Sequence, residues 1–282
     1  MTKCVKDNFD DLIKYRLYRD VDELLHPSIS KSNISNYKII LKDELLPIRV
    51  FYPTRVSKID GVIIYIPGNG EVTDSMGKYS MISRELAIKC KKCLIAIDYF
   101  DKDLAFPDVY DNVYELVKYI YVELEKSGLP KDKITLMGDS FGATLVNYIN
   151  MKMIDDKIDS IGKSIVLYPM ISMKYDDESL YESFEENGKI DLLTLNKCNS
   201  FIKLFGEDKF IKILDYDKLD KFPKCLVITG DVDPLRDEGH EFYTKLKNSK
   251  YYNLEGNTHG FLQNIKTMKN NVYDEINEFI KE

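Results

Sequence analysis

The stretch that decides the fold is ITLMGDSFGATL at residues 134–145. A short apolar run leads into a serine framed by Gly138 and Gly142, and the residues after it have the composition of a good helix. In this strand–turn–helix setting, the pattern G-x-S-x-G forms a turn so sharp that only glycine fits two residues before and two residues after the serine. Ser140 is therefore a candidate nucleophile, and the alternative is a serine that only caps the helix.

Short apolar runs before and after this stretch indicate the rest of a sheet. Helical-period segments separate them, and the clearest of these is 109–127, which Gly128 and Pro130 end. Two alternating runs at 37–41 and 48–52 predict an antiparallel hairpin ahead of the series. Near-continuous apolar strands that alternate with helices are typical of an α/β fold, a mostly parallel sheet with helices on both faces. These strands are predicted at 61–66, 93–98, 134–137, 164–168 and 225–229.

Composition and charge narrow the classes of function. The 282 residues carry a formal net charge of −7 without a long run of like charges, so both a nucleic-acid footprint and a polybasic membrane patch are missing. The first residues lack the apolar segment of a signal peptide, and no stretch approaches the ~18 apolar residues of a membrane-spanning helix. We therefore expect one soluble, cytoplasmic domain over residues 1–282, with no nucleic-acid partner and no membrane insertion.

The five cysteines are scattered and odd in number, unlike a disulfide framework. Cys90 and Cys93 form a C-x-x-C, which is typical of redox or zinc chemistry. The sequence has no second such pair, and no pair of histidines, to complete a zinc site. We interpret both residues as buried thiols, and we expect no metal and no cofactor.

A serine nucleophile needs a base, and the chain has three histidines. His26 is predicted to lie on the surface, at the end of an N-terminal helix. His240 falls within a predicted helix that begins near Leu235, where a side chain cannot easily reach the serine. His259 lies in a loop before the last predicted helix (roughly 268–281), and from that loop its ring can swing over the serine. His259 is therefore the candidate base.

The base in turn needs a carboxylate that orients it, and the stretch GDVDPLRDEG after the strand at 225–229 offers three aspartates. Asp233 stands just past the strand end, where a carboxylate can reach the imidazole. Asp231 is interpreted as a residue that closes the turn, and Asp237 as an acid that suits the first turn of a helix. With Asp233 as the third member, the chain order Ser, Asp, His is that of the triad in α/β-hydrolases.

A loop that could stabilise a developing oxyanion is predicted after the strand at 61–66, where the sequence reads IPGNGEV. Gly68, Asn69 and Gly70 can turn backbone N–H groups toward the serine. Phe141 follows the nucleophile and contributes its own N–H. The alternative for this loop is an ordinary turn between a strand and a helix.

These motifs resemble the hormone-sensitive-lipase-like branch of the α/β-hydrolase fold, which includes arylacetamide-deacetylase-type enzymes and many microbial carboxylesterases. GDSFG is similar to the branch's GDSAG, DPLRDEG (233–239) matches its Asp-Pro-Leu-x-Asp-Glu-Gly block, and HGF (259–261) matches its histidine block. The likeness covers about residues 48–265, and DPLRDEG is its most specific piece.

The resemblance implies a catalytic site built from a triad and three backbone donors. It also implies that residues 1–47 and 173–218 contribute a lid over the site, and it is consistent with a homodimer. The implied triad is Ser140, Asp233 and His259, and the implied donors are the backbone N–H groups of Asn69, Gly70 and Phe141.

The sequence departs from the pattern of this branch at two places. The His-Gly-Gly-Gly of the family becomes Pro67-Gly68-Asn69-Gly70, so the histidine and one glycine are lost and the backbone is less free at Asn69. Phe141 replaces the small residue after the serine and is expected to narrow the acyl pocket.

The site residues predict a serine carboxylesterase that hydrolyses small carboxylic esters through an acyl-enzyme intermediate. An amidase, deacetylase or peptidase with the same triad is the first alternative, because the pocket rather than the triad selects the leaving group. A non-catalytic protein that binds a small ligand is the second, and the presence of all three triad residues argues against it.

Overall fold

The computed structural model describes residues 34–41, 44–54, 56, 59–68, 75–99, 106–159, 161–172, 175, 181–189, 193–205, 211–263 and 272–282. Eight strands in these ranges form one sheet. They are β1 (Ile34–Leu41), β2 (Glu44–Phe51), β3 (Val62–Ile66), β4 (Cys93–Ile97), β5 (Ile134–Asp139), β6 (Lys163–Leu167), β7 (Lys224–Gly230) and β8 (Ser249–Leu254).

The strand order across the sheet is β1-β2-β4-β3-β5-β6-β7-β8. Every neighbouring pair from β4 to β8 is parallel, whereas β1 pairs with β2, and β2 with β4, in the antiparallel sense. The predicted α/β fold, with its hairpin and mostly parallel sheet, is therefore confirmed. Because the carboxyl ends of parallel strands meet at one edge, the residues that follow β3, β5, β6, β7 and β8 are brought close together.

Helices connect the strands and close the chain. The helix predicted at 109–127 runs from Phe106 to Lys126, and the last predicted helix is described from Val272 onward. No helix in the described ranges is long and apolar enough to cross a membrane. The helices are α1 (Ser75–Cys90), α2 (Phe106–Lys126), α3 (Phe141–Asp155), α4 (Glu182–Asn187), α5 (Leu195–Phe205), α6 (Arg236–Lys245) and α7 (Val272–Lys281).

Both faces of the sheet are covered, because successive side chains of a strand point to opposite faces. Ile64 and Ile66 of β3 belong to a core cluster that also contains buried residues of α2 and α3. Ile63 and Tyr65 belong to a second cluster, with buried residues of α1 and α7. All five residues of β3 are buried, which explains why its sequence is apolar at every position rather than at every second one.

The structure contains one strand that was not expected from the sequence. β8 was not among the predicted strands, because its sequence, SKYYNL, lies at the sheet edge and only its last residue is buried. Of the segment 1–47 that was expected to contribute to a lid, residues 34–41 pair with β2 inside the sheet, and residues 1–33 lie outside the described residues. The other segment that was expected to contribute to a lid, 173–218, contains α4 and α5.

The C-x-x-C sits where α1 runs into β4. Cys90 and Cys93 are buried free thiols, as are Cys198 and Cys225. Burial raises the pKa of the Cys90 thiol to about 12, and that of Cys93 well above its ordinary value. The part of the chain that the structure describes contains no group of three His, Cys, Asp or Glu side chains placed to hold a metal ion.

Candidate active site

The turn between β5 and α3 places Ser140 above the sheet edge. Ser140 adopts φ 51° and ψ −124°, a conformation that is unfavourable for any residue with a Cβ atom. Its N–H donates to the carbonyl oxygen of Leu167 at 2.9 Å, which fixes the turn against β6. The serine side chain makes no capping hydrogen bond to α3. The alternative of a serine that only caps the helix is therefore wrong.

The two glycines of the motif make this turn sterically feasible. A Cβ atom on Gly138 would lie 2.4 Å from the carbonyl oxygen of Gly142, and one on Gly142 would lie 2.1 Å from the carbonyl oxygen of Ile66. Real Cβ contacts are essentially never shorter than 3.0 Å. The start of α3 therefore presses directly on the ends of β5 and β3, and only glycine fits at either position.

Three side chains that are far apart in the sequence meet at this edge. The Oγ atom of Ser140 lies 3.0 Å from Nε2 of His259. On the other side of the ring, Nδ1 of His259 lies 3.0 Å from Oδ2 and 3.2 Å from Oδ1 of Asp233. A carboxylate can only accept, so this contact assigns the proton to Nδ1 and leaves the lone pair of Nε2 facing the serine hydroxyl. That is the tautomer a general base needs.

Asp233 is held rigidly. Its side chain is completely buried, and its Oδ1 atom accepts the backbone N–H of Leu235 at 2.8 Å. The His259 side chain is 11% exposed, so the ring is accessible from the solvent side while its partner is not. A buried carboxylate with a fixed orientation holds the imidazole in one position.

The other histidines and aspartates of the sequence analysis lie elsewhere. His240 is on α6, with its ring centroid 4.9 Å from that of Tyr251, and His26 lies outside the described residues. Asp231 accepts a hydrogen bond from the Asn253 side chain at 3.3 Å. Asp237 accepts the backbone N–H of Ser183, at the start of α4, at 2.8 Å.

The loop after β3 approaches Ser140 closely. A Cβ atom on Gly68 would lie 2.8 Å from the Cβ of Ser140. Just before it, the carbonyl oxygen of Pro67 accepts a hydrogen bond from the Tyr99 hydroxyl at 2.7 Å. Asn69 and Gly70, two of the implied oxyanion donors, lie outside the described residues.

The third implied donor, Phe141, is the first residue of α3. Its side chain is 1% exposed, and its ring lies in the core, with centroids 6.3 Å from Tyr99 and 5.9 Å from Tyr110. The ring of Phe141 is therefore packed among aromatic side chains of the hydrophobic core.

Asp139, the residue before Ser140, is a buried carboxylate to which the sequence pattern assigned no role. Its Oδ1 atom accepts hydrogen bonds from the Tyr65 hydroxyl at 2.6 Å and from the Gly68 N–H at 2.7 Å. Its Oδ2 atom accepts from the hydroxyls of Tyr168 at 2.9 Å and Tyr79 at 3.2 Å. Burial raises the pKa of Asp139, and these four hydrogen bonds act in the opposite direction.

Tyr168 is a further residue that sequence reasoning missed. It follows β6, between the strands that carry the serine and the aspartate, and it has φ 36° although it is not glycine. Its ring meets the imidazole of His259 edge to face, with centroids 4.9 Å apart. The available signal was its position, because SIVLY ends with a tyrosine at the carboxyl end of a strand.

Glu238 lies in the first turn of α6, directly after the loop that carries Asp233. It links this region to the segment that follows β6. Its buried carboxylate accepts hydrogen bonds from the Ile171 N–H at 2.7 Å and from the Tyr175 hydroxyl at 3.0 Å, and also from the N–H and hydroxyl of Ser172. Burial raises the pKa of Glu238 to about 7, despite these hydrogen bonds, which lower it. Nearby, α4 and α5 pack Phe184, Cys198 and Ile202 against Tyr175, Met170 and Leu235.

The chain is similar in sequence and in fold to known α/β-hydrolases. A family described as alpha/beta hydrolase fold matches residues 63–263. An arylesterase from Saccharolobus solfataricus is 26% identical over 282 residues, which span 94% of this chain and 90% of the relative. Arylacetamide deacetylase from Oryctolagus cuniculus is 27% identical over 158 residues, 53% of this chain and 39% of that enzyme. A solved structure of a hyperthermophilic esterase from Pyrobaculum calidifontis has a TM-score of 0.79 at 22% identity, covering 100% of this chain and 91% of that chain. The chain therefore belongs to the α/β-hydrolase fold family, in its hormone-sensitive-lipase-like branch.

Proposed function

We propose that the protein is a serine carboxylesterase that hydrolyses small carboxylic esters through an acyl-enzyme intermediate. The observation that carries the proposal is the unbroken series of contacts from the Ser140 hydroxyl through the His259 imidazole to the buried Asp233 carboxylate. Relatives described as arylesterase and carboxylesterase support ester substrates.

The contacts support the following sequence of proton transfers. Nε2 of His259 takes the proton of Ser140 as the serine oxygen attacks the ester carbonyl. Asp233 keeps the Nδ1 proton in place and stabilises the imidazolium that forms. The imidazolium then protonates the departing alcohol, and the same ring activates the water that releases the acid.

The negative charge that develops on the substrate oxygen needs donors. We assign this role to the backbone N–H groups of Asn69, Gly70 and Phe141. The N–H of Gly68 is bound to Asp139, so it is not among the donors. Removal of one such donor typically lowers kcat by about 10²–10³-fold.

Hydrolysis of p-nitrophenyl esters of increasing acyl length tests the proposal. Wild type is expected to hydrolyse the short esters, and Ser140→Ala is expected to lose the activity. His259→Gln should lose it as well, whereas the matched variant His240→Gln should keep it, because that ring packs on the tyrosines at 243 and 251. Equal rates for wild type and Ser140→Ala would contradict the proposal.

Two further assays separate the alternatives. Hydrolysis of a p-nitroanilide and of a p-nitrophenyl ester with the same acyl group compares amide with ester cleavage, and the two coloured products can be followed in the same spectrophotometric assay. A fluorophosphonate probe should label wild type at Ser140, since it reacts with an activated serine. A protein that only binds a small ligand would not be labelled.

A further inference from the structure

The carboxylate of Asp139 faces two different loops of the site. Its Oδ1 atom holds the N–H of Gly68, in the loop that approaches the nucleophile after β3. Its Oδ2 atom holds the hydroxyl groups of Tyr79 and Tyr168. Asp139 is completely buried and immediately precedes the nucleophile, so it is fixed relative to Ser140 by the strand itself.

The two tyrosines that bind Oδ2 also contact the histidine loop, the segment from His259 to Gln263. The ring of Tyr168 packs edge to face on His259, and its other neighbour is Phe261, with centroids 4.6 Å apart. The hydroxyl of Tyr79 accepts a hydrogen bond from the Gln263 side chain at 2.8 Å. Phe261 and Gln263 bound the short helical turn that follows His259. Both tyrosines therefore contact the loop that carries the base.

We propose that Asp139 is a positioning residue of the acyl-transfer centre, which sets the oxyanion loop through Gly68 and the histidine loop through Tyr168 and Tyr79. This inference rests on the proposed function. Asp139 contacts no reacting atom, since both of its oxygens are occupied by the protein's own donors. Asp139 keeps the oxyanion loop, the nucleophile and the base in one fixed arrangement.

A carboxylate suits this place better than any other side chain. All four of its contacts come from donors, and only a carboxylate offers two oxygens that both accept. The hydroxyls remain donors, because burial and then the charge of Asp139 raise the pKa values of Tyr65 and Tyr168 well above their ordinary value. In Asp139→Asn, the amide oxygen can still accept the N–H of Gly68. The NH₂ group, however, is a donor, and it would face two tyrosine hydroxyl groups that are donors as well.

The test compares Asp139→Asn and Tyr168→Phe with wild type, with kcat and KM for p-nitrophenyl acetate and the melting temperature as readouts. Tyr110→Phe is the matched control, because that buried hydroxyl makes no hydrogen bond within the described residues. We expect kcat to fall by about 10–100-fold in the first two variants, with KM little changed, since a displacement of ~1 Å at a reacting group costs about 10²-fold in rate. The control should keep the wild-type kcat.

The double variant Asp139→Asn/Tyr168→Phe distinguishes positioning through Asp139 from two unrelated effects. If Tyr168 acts through the carboxylate, the kcat of the double variant should be no lower than that of the less active of the two single variants, because the effects of residues in one network are not additive. Should Asp139→Asn fail to fold, Tyr79→Phe and Tyr168→Phe carry the same test on the histidine side.

The outcomes separate this inference from the function on which it rests. A wild-type protein that hydrolyses esters, with Tyr168→Phe and Asp139→Asn as active as Tyr110→Phe, would overturn the inference alone. Fully additive losses in the double variant would overturn it as well. A wild-type protein without ester hydrolysis and without fluorophosphonate labelling would overturn the proposed function, and the inference with it.

Discussion

Gly142, in the first turn of α3, touches the end of β3 so closely that a Cβ atom on it would stand 2.1 Å from the carbonyl oxygen of Ile66. The obstacle is backbone on both sides, so no side-chain rotation can relieve it. This contact fixes the distance between the start of the loop after β3 and the turn that carries Ser140. The second glycine of the motif therefore serves the geometry of the loop as well as that of the serine.

Gly142→Ala is accordingly expected to lower both stability and ester hydrolysis, because α3 or β3 must shift to make room. Gly256→Ala is the control, since Gly256 has φ 66° but no atom within 4 Å of the added Cβ. The control measures left-handed strain alone, about 1–2 kcal/mol. Urea unfolding of both variants checks the prediction. A smaller loss of stability for Gly142→Ala than for Gly256→Ala would contradict it.

Asp233→Asn should leave the fold intact and remove most of the activity. The amide oxygen is expected to stay on the Leu235 N–H, which places the NH₂ group against Nδ1 of His259. The imidazole then carries its proton on Nε2 and cannot accept the proton of the serine. A loss of about 10⁴-fold in kcat is typical of this change in a serine triad.

Steady-state kinetics of Asp233→Asn and of Asp231→Asn check this assignment. Asp231 contacts Asn253 rather than the imidazole, so its variant should retain wild-type kcat. A strong loss in Asp231→Asn together with an active Asp233→Asn would show that the orienting carboxylate is a different one.

Glu238 makes the stability of the protein depend on pH. Its pKa is about 7 in the folded protein, against an ordinary value of 4.5, so the native state binds more protons than the unfolded state between these values. The resulting stabilisation is present in full below about pH 4.5 and is lost as pH rises through 7. A difference of this size corresponds to about 3 kcal/mol.

Glu238→Gln should therefore flatten the pH dependence of the free energy of unfolding between about pH 4.5 and 7. The absolute stability should also fall, because the amide cannot accept all four of the donors that Glu238 serves. Urea unfolding across this range checks the slope, with Glu278→Gln, on the exposed face of α7, as control. Identical slopes for wild type and Glu238→Gln would contradict the prediction.

The parts of this molecule that the sequence could predict are those with a local signature. The strand at 61–66 was recognisable because all of its side chains are buried, while β8 was not, because burial falls on one residue at its end. Ser140 and His259 stood out as reactive residue types at the ends of strands.

The network around the candidate site had no such signature. Asp139 belongs to the glycine-framed motif, but nothing in the linear sequence says that four donors converge on it. Tyr65, Tyr79 and Tyr168 lie on two strand ends and a helix, and tyrosine is equally common in ordinary cores. Their role follows from the order of the strands, which places β3, β5 and β6 side by side.

Ser140 and Tyr168, at the ends of adjacent strands, both have positive φ without being glycine. Such backbone conformations cost of order 1–3 kcal/mol per residue, so the candidate site lowers the stability of the fold that carries it. Ser140→Gly removes this strain together with the hydroxyl. We expect an inactive protein whose free energy of unfolding is higher by about 1 kcal/mol, which a melting curve would show as a melting temperature a few degrees higher. Selection for thermal stability alone would therefore be expected to replace Ser140, the residue on which the proposed activity depends.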